Sequence, residues 1–375
     1  MKVRAAVLED MGRATPYAVS RPLTISTVDL DPPGPGEVLV RIAAAGLCHS
    51  DLSVIDGSRP RPTPMALGHE AAGVVEELGA GVDDLAKGDH VVLVFVPSCG
   101  HCQPCAIGRP ALCEPAAAAN GAGVLLSGER RISRDTKPLN HHMGVSAFAE
   151  YAVVSRRSLV KIDKDIPLDH AALFGCAVLT GVGAVVNTAA LSAGSTVAIV
   201  GLGGVGLAAL LGAIASGGDR IAAIDLDDGK LAFARQLGAT DTFNSREADA
   251  AATIREATKG GFDVVIELAG SVKALELAYA ITRRGGTTIT GGLPAPSAML
   301  SIPAVSLVAE ERTLKGSYIG TCVPSRDLPR YINLFRRGRL PVDRLLTDRI
   351  ALDDINEGFD RLREGKAIRQ VVTFA

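Results

Sequence analysis

The chain has 375 residues, 47% of them hydrophobic and 21% charged, which is enough for two domains with cores of their own and too apolar for a disordered protein. A net charge of −2 with interspersed signs leaves no electrostatic footprint for nucleic acid or an anionic membrane, so neither is an expected partner. Charges within Met1–Asp10 stand where a secretory signal needs an apolar run, and with cysteines at metal-like spacings this points to a reducing cytoplasm.

In chain order, residues 1 to about 177 carry short β-type runs: Val38–Ile42, Ala72–Leu78, His90–Val96 and Tyr151–Val154. Pro/Gly turns such as Asp31–Gly36 separate them. The pattern predicts a β-dominated domain with irregular loops. From about Ser192 the rhythm becomes strand, turn, helix. Predicted strands are Thr196–Val200, Arg220–Asp225, Asp241–Asn244, Asp263–Glu267, Thr287–Gly291 and Thr313–Tyr318, with a helix over Asp228–Leu237 stopped by Gly238. Strands alternating with helices imply a parallel sheet with right-handed crossovers, and six of them match a doubly wound dinucleotide fold. The apolar stretch Thr196–Ala215 approaches bilayer length, but its five glycines divide it into a buried strand, a turn and a buried helix start. Beyond about 321 come further helices and a last strand, Gln370–Phe374.

Gly201-Leu-Gly203-Gly204-Val205-Gly206 follows the first of these strands and opens a helix. Glycines there allow a tight turn and close approach of a pyrophosphate to the helix N-terminus, where unpaired N–H groups favour anions. Asp225, at the end of the next strand, suits both ribose hydroxyls of NAD and would repel the 2′-phosphate of NADP.

Six of the seven cysteines fall into two candidate metal sites. Cys99-x2-Cys102-x2-Cys105-x7-Cys113 has the spacing of a closed zinc cage. An iron–sulfur centre and a disulfide lobe are its rivals; the long last gap, charged and helix-like, argues against the ferredoxin pattern. The second set is dispersed: Cys48, His69 and Cys176 would leave a coordination position open. Asp51 and Glu70 lie beside them in sequence, and metal-bound imidazoles commonly donate their other N–H to a carboxylate. The remaining thiol, Cys322, reads as a small buried apolar residue.

Taken together, Gly46-Leu-Cys-His-Ser-Asp51, Gly68-His-Glu70, the four-cysteine lobe, Gly175-Cys-Ala-Val-Leu-Thr-Gly181, the glycine turn and Ile355-Asn-Glu-Gly-Phe-Asp360 resemble the zinc-dependent medium-chain alcohol dehydrogenases. The resemblance implies an α/β plus β protein. A GroES-like β-rich catalytic domain would span 1–177 and 321–375, with a structural zinc lobe at about 97–115, and a Rossmann NAD-binding domain would span 178–320. It implies two zinc ions per chain, NAD, and reversible oxidation of a primary or secondary alcohol to an aldehyde or ketone. Cys48, His69 and Cys176 would hold the catalytic zinc, and Cys99, Cys102, Cys105 and Cys113 the structural one. Asp51 would orient His69, Glu70 would stand nearby, and Ser50 would take the alcohol proton. His49, Lys230 and Arg369 match positions that contact the cofactor's phosphates or adenosine ribose. The relay histidine of the family is replaced by Ser53, so the proton would leave through the ribose and water or through His49.

The same comparison of spacing would line the substrate pocket with Phe95, Leu112, Ala118, His142, Met143, Leu293 and Tyr318. The small side chains among these favour medium-sized to bulky alcohols. Arg59 and Arg61 fall in a loop near the expected entrance, and they count against a glutathione-dependent formaldehyde dehydrogenase, which places acidic residues there. That activity and a polyol dehydrogenase are the nearest alternatives; a non-catalytic NAD-binding zinc scaffold is the alternative of another class. The segment from about Pro115 to Asn140 resembles an insertion of dimeric members, which implies a homodimer.

Overall fold

The computed structural model describes residues 1–374, which divide into two compact units. The first comprises Met1–Cys176, Val323–Pro329 and the chain from Leu346 onward; the second comprises Ala177–Cys322 and Arg330–Leu345. Of the tail, residues 323–329 and those from Leu346 cluster with the first unit and residues 330–345 with the second.

Two sheets build the first unit. In one, Lys2–Leu8 pairs antiparallel with Leu23–Leu30 and also with Met65–Ala66. Val3, Ala5, Val7, Val28 and Leu30 on these strands join Leu39 and Val153 in one apolar cluster, as alternation along a half-buried strand requires. In the other sheet the long strand Glu37–Gly46 is central, flanked by Ala71–Leu78, Tyr151–Ser155 and Arg369–Thr373. The predicted run to Val96 shortens to His90–Leu93, so Phe95 lies beyond the ladder.

The second unit holds six parallel strands in the order Asp241–Asn244, Arg220–Asp225, Thr196–Val200, Phe262–Glu267, Thr282–Thr290, Thr313–Gly316. The chain enters at the middle and winds outward both ways, so the order reverses beside Thr196–Val200. Crevices at such reversals are where doubly wound sheets bind ligands. The stretch Thr196–Ala215 resolves into the strand Thr196–Val200 and the helix Gly204–Ala215, and no single helix among the described residues is long and apolar enough to cross a membrane. Cys322 is buried as expected, but its surroundings are polar: the thiol donates to the Leu179 carbonyl at 3.3 Å and lies 3.3 Å from Asn187 Nδ2.

One core residue of the first unit carries an acid sensitivity. His141 is buried, its Nε2 accepts the Arg131 N–H at 3.1 Å, and burial with the nearby Arg130 and Arg131 pushes its pKa down to about 4 despite Glu37. Between pH 6.5 and about 4 the unfolded chain binds a proton here that the folded chain refuses, so stability present above pH 6.5 is lost as pH falls through that window. The loss from this group approaches about 3 kcal/mol at its limit. A His141→Asn protein is expected to show a flatter fall of urea midpoint from pH 6.5 to 4 than the parent; parallel curves would refute this assignment.

Candidate active site

Three donors from separate segments of the first unit converge. Cys48 precedes the helix His49–Ile55, His69 stands before the strand Ala71–Leu78, and Cys176 follows the turn Leu173–Gly175. Their ligating atoms all lie within 4.8 Å of one another and all three residues are buried. His69 Nε2 is buried and has no hydrogen-bond partner. Two thiols and an orphan imidazole nitrogen at this separation are a donor set for a zinc-type cation, with three protein ligands and a fourth position left over. The Cys48 thiol is held well below its usual pKa by Cys176, and by His69 and Arg369, against the effect of burial. Its place at a helix N-terminus acts in the same direction. Gly68 delivers His69: its φ is +95°, and a Cβ there would strike the backbone of Ala147 and Phe148.

Carboxylates surround these donors. Asp51, fully buried, accepts from His69 Nδ1 at 3.0 Å. Burial would raise the Asp51 pKa, but His69 and His142 together hold it well below the usual carboxylate range. Burial likewise opposes a charged His69, yet Asp51 and Cys48 outweigh it and bring His69 up to about 10. A cation bound at Nε2 would take over that stabilised positive charge and displace the proton. Glu70 is buried and ion-paired with Arg369 Nη2. Phe95 packs its ring edge-on to His69, with centroids 5.2 Å apart.

The other cysteine group is also assembled. The Sγ atoms of Cys99, Cys102, Cys105 and Cys113 lie within 4.8 Å of one another, and none of the seven cysteines is in a disulfide. Backbone N–H groups already point at sulfur, from Cys99 to Cys113 at 3.2 Å and from Cys102 to Cys99 at 3.3 Å. N–H donation from His101 and Cys102 draws Cys99 down to about 6, while burial and its sulfur neighbours push Cys105 up to about 12. Four thiols this close cannot all ionise without a cation among them. The set has no fifth protein group and fits a closed structural site.

In the second unit, Gly203 caps the helix Gly204–Ala215, so Gly204, Val205 and Gly206 form its first turn. A Cβ on Gly206 would collide with the Gly201 carbonyl, so only glycine lets strand and helix meet here. The Asp225 carboxylate is fixed by three backbone donors, Leu202 N–H at 2.7 Å, Leu226 N–H at 2.8 Å and Asp227 N–H at 3.1 Å. Lys230 lies at the start of the helix Asp228–Leu237, its N–H bound by the capping Asp227.

Among the residues expected from sequence, the structure brings Cys48, Asp51, His69, Glu70, Phe95 and Cys176 together, with His49 and Ser50 in the helix turn after Cys48. The other expected residues have these surroundings. Arg369, expected at the cofactor phosphates, is only 3% exposed and paired with Glu70. His142, expected as a polar tip in the substrate pocket, is buried with Nδ1 3.2 Å from Asp51 Oδ1. Leu112 and Ala118 are exposed, Met143 is buried, and Leu293 and Tyr318 belong to the second unit, where both are partly exposed. Ser53 Oγ donates to the His49 carbonyl at 2.8 Å. The Asp51–His142 and Glu70–Arg369 contacts had no signal in spacing, because each joins segments far apart in the chain.

Comparison with known proteins agrees with this geometry. Residues 34–164 match the alcohol dehydrogenase GroES-like domain and residues 204–337 the zinc-binding dehydrogenase domain. The chain is 40% identical to a protein of Mycobacterium tuberculosis provisionally named alcohol dehydrogenase D, over 99% of this chain and 100% of that one. Its fold superimposes on benzyl alcohol dehydrogenase from Acinetobacter calcoaceticus with a TM-score of 0.93 at 32% identity, covering 100% of both chains. A zinc-binding dehydrogenase of Sinorhizobium meliloti 1021, also provisionally named and bound to NADP, gives 0.80 at 26% identity over 100% of both chains. With a GroES-like first domain, a Rossmann second domain and both metal donor sets in place, the chain belongs to the zinc-dependent medium-chain alcohol dehydrogenase family.

Proposed function

We propose that the protein reversibly oxidises primary or secondary alcohols to aldehydes or ketones with hydride transfer to NAD, and that it prefers medium-sized to bulky alcohols. The observation that carries this reading is the buried set Cys48, His69 and Cys176 with its orphan Nε2, because three protein donors leave room for a substrate oxygen where four cysteines do not. Zinc held there supplies Lewis-acid polarisation of the alcohol or carbonyl oxygen. The chain's own residues do the rest. Asp51 binds Nδ1–H of His69, which fixes the tautomer and turns Nε2 toward the metal. Phe95 covers one side of His69 and keeps water from it. Ser50 Oγ, two residues after Cys48, accepts the alcohol proton. The reading of medium-sized to bulky substrates is supported by the benzyl alcohol named for the Acinetobacter enzyme.

Use of NAD is supported by Asp225, whose fixed carboxylate would face a 2′-phosphate with like charge. The NADP of the Sinorhizobium neighbour is a property of that protein. The test is a panel of alcohols assayed with NAD and NADP in parallel, alongside metal analysis. Two zincs per chain with NADH formation supports the enzyme; one zinc without turnover would leave a scaffold.

A homodimer is supported by the outermost strand of the second unit, Thr313–Gly316, and by exposed apolar side chains at Met299, Val305 and Val308. Apolar groups that stand this far into solvent commonly mark an interface. Light scattering of the purified protein is expected to give twice the chain mass of 38.7 kDa, and a single-chain mass would refute the dimer. A cytoplasmic setting is supported by seven cysteines of which none is in a disulfide.

A further inference from the structure

Asp51 faces two imidazoles. Its Oδ1 lies 3.0 Å from His69 Nδ1 and 3.2 Å from His142 Nδ1, the second contact being the longer and less well aligned. All three side chains are buried, so water does not compete for the carboxylate. An ionised carboxylate only accepts, so it favours a hydrogen on each nitrogen that faces it; His69 Nδ1 is within hydrogen-bond geometry, and His142 Nδ1, buried with no other partner, needs only a small turn of its ring to reach it. For His69 this leaves Nε2 free for a metal. For His142 it favours the same tautomer on a residue that is not one of the three ligands.

The backbone is built to hold His142 there. Its N–H donates to Ser146 Oγ at 2.9 Å, and its carbonyl accepts from Val145 and Ser146 at 3.0 and 3.3 Å. Within this turn Met143, Gly144 and Ser146 have φ of +52°, +67° and +52°. Two non-glycine residues in the left-handed region of one short turn cost backbone energy, and such turns persist where the surroundings demand them. The His142 ring also stands edge-on to His69, with centroids 5.6 Å apart.

We propose that His142 is a positioning residue for the three-ligand metal site: it donates to Asp51, steadies the carboxylate that orients His69, and thereby sets how tightly that site holds its metal. This rests on the metal reading of Cys48, His69 and Cys176. The partners that orient a ligating histidine typically contribute 10–100-fold to metal affinity. His142 acts through one of them.

The test uses two variants of the zinc-loaded protein. His142→Phe keeps a ring of similar size and removes the donor, while His142→Asn places an amide nitrogen near the position of Nδ1. Zinc transfer to a chromogenic chelator is followed for both sites, and the cobalt-substituted proteins are compared by their visible absorption bands. In His142→Phe, release from the three-ligand site is expected to quicken by roughly tenfold or more. The cobalt bands should shift, and release from the four-cysteine site should be unchanged. His142→Asn should recover slow release. An unchanged rate and spectrum in His142→Phe would overturn the proposal. So would equal acceleration at both sites, which marks a loosened fold, or an Asn variant as fast as the Phe variant. If the parent protein itself held zinc only at the four cysteines, the three-ligand reading would fail, which is a separate result from a two-zinc parent with an indifferent His142.

Discussion

A Cys48→Ser protein is expected to carry one zinc per chain in place of two and to lose about a thousandfold or more in kcat/KM for alcohol oxidation. The Cys48 sulfur is buried, sits at a helix N-terminus and is held toward its thiolate by Cys176 and His69. A serine hydroxyl in the same place does not ionise near neutral pH and is a poor partner for a zinc-type cation. Metal polarisation of the reacting oxygen is worth several kcal/mol of transition-state stabilisation, and about 4 kcal/mol corresponds to a thousandfold in rate. The same exchange at Cys105 should act differently. It should remove the other zinc and lower thermal stability, because that set has no open position. Metal content, melting temperature and kcat/KM on both variants check this. A Cys48→Ser protein that keeps two zincs and normal turnover would end the assignment of the three-ligand site.

The second large effect belongs to Asp225. An Asp225→Ser protein is expected to lose about a hundredfold or more in its preference for NAD over NADP, mainly through KM. Each hydrogen bond from a ribose hydroxyl to a fixed carboxylate is worth about 1.5–3 kcal/mol. Removing the charge also lifts the repulsion that a 2′-phosphate would meet. The carboxylate is preorganised by Leu202, Leu226 and Asp227, so its loss also loosens the end of the strand Arg220–Asp225. Steady-state kinetics with both cofactors, with melting temperature as a control, would decide the matter. An unchanged ratio of kcat/KM values would show that Asp225 does not read the ribose.

The second unit was the more legible half of the chain. Thr196–Val200, Arg220–Asp225 and Asp241–Asn244 occur with the bounds that their patterns suggest, because a buried parallel strand is a short apolar run closed by turn residues. The four-cysteine site was legible for a similar reason: its geometry is local, and spacing encodes it. Cys48, His69 and Cys176 gave a weaker signal, carried by the neighbouring Asp51 and Glu70 and strengthened by resemblance, since nothing in the intervening sequence says that three segments will meet. The same limit explains the differences. Arg369 and His142 carry types of side chain that suit a cofactor or substrate pocket, and their contacts with the buried carboxylates Glu70 and Asp51 could not be read from spacing. Leu112 and Ala118 were matched by position alone, and exposure depends on how a loop folds back.

The strand Arg369–Thr373 lies against Glu37–Gly46, with Val371 opposite Gly46, and the same strand brings Arg369 to Glu70. A ribosome delivers residues 37 and 70 long before residue 369. Until residues 369–373 emerge, the Ala44–Gly46 end of the central strand lacks a neighbour on one edge, since Tyr151–Ser155 covers only Glu37–Arg41 there, and the Glu70 carboxylate lacks its cation. The second unit is under no such delay, because its six strands follow one another between residues 196 and 316. The sheet of the second unit can therefore close before the metal-bearing unit, which waits for residues 369–373.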